Sequence, residues 1–108
     1  MPLTEQPNMI LYNITIKADL DIAQELKFWI KEDYLPEINS SEKVIKAHLL
    51  KLLGVDVSDG ITFCVQYHFD SMSEYNSFKM VEDAEFMSEI MSKFSDKLVL
   101  FASILSEE

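Results

Sequence analysis

The hydrophobic period of this chain changes in a fixed order, and that order restricts the fold more than any single residue does. The clearest stretch is GITFCVQYHFD at 60–70. Ile61, Phe63, Val65, Tyr67 and Phe69 share one side of an extended chain there, while Thr62, Cys64, Gln66 and His68 share the other. ILYNITIK at 10–17 alternates in the same way and reads as the first strand. Ile22, Leu26, Trp29 and Ile30 then recur at helical spacing, with Asp21 and Gln24 in capping-box positions. Pro36 disfavours the helical conformation at Leu35, which predicts that this helix stops around Tyr34. Residues 43–53 read as a second strand because Val44 and Ile45 favour one, and Asp59 and Gly60 supply turn chemistry before the next.

A second capping box, Ser71 to Glu74, opens the second helix. Tyr75, Phe78, Val81, Ala84 and Met87 step by three, so their direction drifts around an unbroken helix. A kink or restart near Glu82 and Asp83 is predicted to restore the phase, with Met87, Met91 and Phe94 as the next stripe. Residues 97–105 close the chain as a fourth strand that is apolar on both sides.

The order strand, helix, strand, strand, helix, strand, joined by two right-handed crossovers, gives an α+β ferredoxin-like plait. This is one four-stranded antiparallel sheet with strands one and three central and both helices on one face. The helices cover one side only. Asn13, Thr15, Cys64, Gln66 and His68 are expected on the other, joined by Lys46 and His48. In the last strand Leu98, Leu100, Ala102 and Ile104 oppose Val99, Phe101, Ser103 and Leu105, so neither face suits water. A second copy is the cheapest cover. A two-fold homodimer with facing sheets, a dimeric α/β barrel, is therefore expected, burying roughly 1,200 to 2,000 Å².

Composition narrows the chemistry. The chain has 108 residues, 48% of them hydrophobic, which suits one domain; the expected division is a loose tail at 1–8 and a folded unit at 9–106. Nine lysines and no arginine face 19 acidic residues, a formal charge of -10 that repels nucleic-acid phosphates and anionic membranes. No nucleic acid and no membrane are expected as partners. Without a guanidinium the chain also lacks the usual two-point clamp for anions. Cys64 is the single cysteine, so no intrachain disulfide forms and the cytoplasm is the expected compartment.

Several motifs resemble a known family. YNITIK in the first strand, Trp29 with the later LPE, the leucine-rich LLKLL, ITFCVQY, SMSEY and the final KF-x-DK-x-V-x-F are similar to the bacterial domain-of-unknown-function family numbered 4286. The resemblance spans about 9–105 and implies a dimeric ferredoxin-like α/β barrel, without implying an activity. Tyr34 stands where that pattern carries histidine, and Phe101, Ala102 and Ser103 stand where it has Phe-Arg-Thr. Of the polar positions, Gln66 and Tyr67 match.

Candidate chemistry is sparse. Cys64 and His68 lie ~13 Å apart along an extended strand at ~3.3 Å per residue, which excludes one ion or a thiol and its base between them. A cross-strand pairing of His48 with His68 is the remaining metal arrangement, but two neighbouring polar side chains are the plainer reading; no metal and no cofactor are expected. Gly54 and Gly60 form no phosphate loop. Glu32 with Asp33, and Glu82, Asp83 and Glu85, read as solvated helix faces, and Trp29 reads as a core anchor. Two functions remain. One is a non-enzymatic homodimer binding a small apolar or aromatic molecule, or another protein, at Asn13, Thr15, His48, Gln66 and His68. The other is a cofactor-independent monooxygenase or isomerase, on fold-level analogy.

Overall fold

The computed structural model describes residues 9–108; the tail expected at 1–8 lies outside the described residues. Strands β1 (Ile10–Ala18), β2 (Lys46–Lys51), β3 (Ile61–Phe69) and β4 (Leu98–Ser106) form one antiparallel sheet in the order β2-β3-β1-β4. This is the ferredoxin-like arrangement, with β1 and β3 central. Alternation fixes the register: Tyr12 pairs with Tyr67 and Ile14 with Val65, all four buried on the helix-covered face. Asn13 pairs with Gln66 and Thr15 with Cys64 on the opposite face.

The first helix departs from expectation at both ends. It starts at Leu20, one residue before the predicted Asp21, and Asp19 at its cap makes no side-chain bond. Nor does it stop at Tyr34. Segment α1 (Leu20–Trp29) passes through a π-turn, Ile30–Tyr34, into α2 (Leu35–Asn39). Pro36 sits near the start of α2, where a missing N–H costs least, and the wider turn before it accommodates the ring. Leu26, Ile30, Tyr34 and Ile38 are consequently all buried at a spacing of four.

The second helix solves the same problem in the same way. α3 (Met72–Phe78) starts where Ser71 Oγ accepts from the Glu74 N–H at 3.3 Å. A π-turn, Lys79–Asp83, leads into α4 (Ala84–Phe94). Eight positions separate Phe78 from Phe86, about 80° beyond two turns at 3.6 residues each. The extra residue taken up by the π-turn removes that excess, so both rings meet the core. The predicted break near Glu82 and Asp83 is therefore a widened turn. The stripe after it is Phe86, Ile90 and Phe94, while Met91 is exposed and Met87 only partly buried.

Strand β2 is shorter than the predicted 43–53, for a local reason. Val44 packs into the core ahead of it, and past Lys51 the chain leaves the sheet after one backbone bond from Leu52 N–H to the Thr62 carbonyl. Its outer edge is occupied at one point. The Asn39 side-chain amide donates to the Ala47 carbonyl at 2.9 Å and accepts from the Ala47 N–H at 2.8 Å. Trp29 anchors the core as expected, stacked on Phe86 at 5.9 Å between ring centres.

Candidate functional site

The uncovered sheet face carries the polar residues that alternation placed there. Gln66 Nε2 donates to Asn13 Oδ1 at 3.1 Å, and Asn13 Nδ2 donates to Thr15 Oγ1 at 3.0 Å. Thr15 Oγ1 lies 3.8 Å from Cys64 Sγ. The result is a hydrogen-bonded line across β3 and β1. His48 and His68 meet on the same face because Lys46 pairs with His68 and His48 with Gln66, which sets the two rings diagonally across β2 and β3. Their centres are 5.4 Å apart and their planes perpendicular at 86°.

The environment of this pair is unusual for imidazoles. His48 Nε2 is buried without a hydrogen-bond partner among the described residues. Burial, with His48 and Lys46 nearby, holds the His68 imidazole below its ordinary value. A neutral ring is its state at physiological pH. His68 also lines a hollow of about 290 Å³ together with Met9, Leu11, Leu105, Ser106 and Glu107. Of the five residues expected to bind a ligand, it alone reaches that hollow; Asn13, Thr15, Gln66 and His48 lie beside it on the sheet face. Apolar surface surrounds them, since Val99 is 69%, Phe101 64% and Leu105 49% exposed.

A second polar cluster, on the helix side of the sheet, escaped the sequence reading. Each π-turn ends on a buried polar residue that reaches a strand tyrosine. The Tyr34 and Tyr67 hydroxyls are 2.7 Å apart, and the Tyr12 hydroxyl donates to Asp83 Oδ1 at 3.1 Å. Lys79 Nζ completes the second group, 3.5 Å from both Asp83 Oδ2 and the Tyr12 oxygen. Asp83, expected on a solvated face, is only 3% exposed, because the π-turn rotates it inward. Burial pushes its carboxyl above the ordinary value, against the Tyr12 and Lys79 contacts that favour the carboxylate. Burial likewise raises Tyr12, Tyr34 and Tyr67, so these hydroxyls stay protonated. The one sequence signal for this cluster was that all four tyrosines fall at apolar positions of the pattern.

Among the described residues no three His, Cys, Asp or Glu side chains converge as a metal-holding group, and no helix is long and apolar enough to cross a membrane. Comparison with protein families matches residues 9–108 to the domain of unknown function DUF4286. The chain belongs to the DUF4286 family. Comparison with curated proteins gives no match. Among solved structures, a dimeric ferredoxin-like protein from an uncultured marine organism is similar at TM-score 0.64 and 9% identity, over 93% of this chain and 95% of that one. The hydroxynitrile lyase of Passiflora edulis is similar at TM-score 0.65 and 19% identity, covering 94% and 97%. A provisional antibiotic biosynthesis monooxygenase from Bacillus cereus is similar at TM-score 0.65 and 12% identity, covering 94% of each. At these identities the likeness concerns the fold, which this DUF4286 chain shares.

Proposed function

We propose that this DUF4286 protein is a cytoplasmic homodimer whose two uncovered sheet faces meet and enclose a binding site for a small apolar or aromatic molecule. The observation that carries this reading is the pairing of an ordered polar line, Gln66, Asn13 and Thr15, with the exposed Val99, Phe101 and Leu105 on one face. Polar side chains set in an apolar wall are the usual make-up of a small-molecule site. Fold neighbours described as dimeric lend support to the partner. In this reading His48, Gln66, Asn13 and Thr15 hold the ligand's polar edge, and His68 closes the hollow.

Light scattering across a dilution series tests it. A mass of two chains at micromolar concentration is expected, and Phe101→Glu is expected to yield single folded chains. A wild-type protein that stays monomeric when concentrated sinks the proposal.

A second reading, a cofactor-independent monooxygenase or isomerase, is favoured by one feature: a neutral His68 imidazole at the edge of an apolar hollow is placed to take a proton from a bound substrate. Fold neighbours described as a lyase and a provisional monooxygenase give it context. Oxygen uptake with a panel of quinols separates the readings. Turnover that disappears in His68→Gln supports catalysis, and a flat trace with wild type removes the monooxygenase.

A further inference from the structure

From the His48–His68 pair we infer a binding site for one divalent transition-metal ion, of the class that imidazole prefers: copper, nickel or zinc. Both ligands come from one chain, so the site stands whether or not the dimer does.

Two observations converge on it. The first is spacing. An ion sits about 2.0–2.1 Å from each imidazole nitrogen, and angles between the 90° of a tetragonal copper or nickel ion and the tetrahedral angle of zinc put the two ring centres about 4.5–5 Å apart. The observed separation is 5.4 Å, already close to that without an ion. Diagonal positions on neighbouring antiparallel strands fix it, so little chain reorganisation is needed.

The second is the unpartnered atom. His48 Nε2 is buried with no hydrogen-bond partner among the described residues, an arrangement unfavourable for an ordinary polar group. A ring nitrogen coordinated to an ion has no such deficit.

The surroundings fit a cation with open coordination positions. The formal charge of -10 draws cations toward the chain as a whole. Lys46, directly across from His68, is exposed, and its long stem lets the ammonium turn into solvent. With two protein ligands the ion keeps positions for water or an oxygen donor, and His68 borders the hollow at Leu11 and Leu105 where such a donor has room. Imidazole donors select copper, nickel and zinc over the oxygen-preferring magnesium and calcium.

Copper(II) added to the purified full chain, followed by electron paramagnetic resonance and by titration calorimetry, tests the inference. The expected result is one ion per chain, with hyperfine structure from two equatorial imidazole nitrogens. The chain has only two histidines, which identifies the donors even if a variant fails to fold. His48→Asn and His68→Gln are each expected to lose one nitrogen from the pattern and at least tenfold in affinity. Absence of binding up to 100 times the chain concentration overturns the site. So does a two-nitrogen signal at half an ion per chain, which would mean one histidine from each of two copies. A spectrum unchanged in His48→Asn overturns it as well.

Discussion

The Tyr34 and Tyr67 hydroxyls lie 2.7 Å apart in the core, one delivered by the π-turn of the first helix and the other by the central strand β3. Each is the other's partner in a region closed to water, which makes the pair energetically coupled. Tyr34→Phe and Tyr67→Phe are each expected to cost about 1–3 kcal/mol, because the remaining hydroxyl is stranded. The double substitution is expected to cost clearly less than the sum. Urea unfolding of all four proteins gives the coupling energy, and additive losses would contradict this account.

Asp83 makes stability depend on pH in a direction opposite to that of an ordinary ion-paired aspartate. Its folded value lies above that of an ordinary aspartate, so the folded chain keeps the proton to higher pH than the unfolded chain. The stability from this is complete below the unfolded value and is lost as pH rises through the folded one. Asp83→Asn removes the titration and keeps an oxygen that can accept from Tyr12. Wild type is therefore expected to lose stability relative to this variant as pH rises above about 4. Unfolding curves at a series of pH values from there upward check it; an offset that does not change refutes it.

The π-turn of the second helix absorbs one residue, so one residue can be removed from it. Deleting the exposed Met80 leaves seven positions between Phe78 and Phe86, close to two α-turns, with both rings still facing the core. The deletion is expected to fold with a loss of no more than about 3 kcal/mol. Deleting Ser88 instead swings Ile90 and Phe94 by about 100° and is expected to abolish the cooperative melt. Circular dichroism melts of the two deletions distinguish them directly.

Gly60 sits just ahead of β3 with no room for a side chain. A methyl group there would meet the Ala18 carbonyl oxygen at 2.8 Å and Lys17 Cε at 3.1 Å. The lysine can move; the strand carbonyl cannot without disturbing β1. Gly60→Ala is expected to cost about 1–3 kcal/mol, measurable as a lowered thermal midpoint, and an unchanged midpoint would show that the β1 end yields freely.

What the sequence made legible followed from strict periods. β1 and β3 each bury one face, so alternation alone showed which of their residues share a face, while the pairing of Ile10 with Phe69 came from the structure. Asn13, Thr15, Gln66, His48 and His68 were placed on one face by the same logic. The helices were less legible, because a π-turn has no residue signature of its own; Pro36 suggested an end where the chain merely widens. The eight-residue step from Phe78 to Phe86 was the available clue. Asp83 was missed because an acid between Glu82 and Glu85 reads as surface until that turn is known.

The Asn39 amide bound to both backbone groups of Ala47 bears on how copies can assemble. It mimics the rung that a neighbouring strand would supply, so one rung of the β2 margin is already filled, while β4 forms the other margin of the sheet. Ribbon-like growth needs two receptive margins on every molecule. Where that carboxamide sits, an incoming strand finds the two backbone groups of Ala47 already taken and would have to displace it before it could join the sheet.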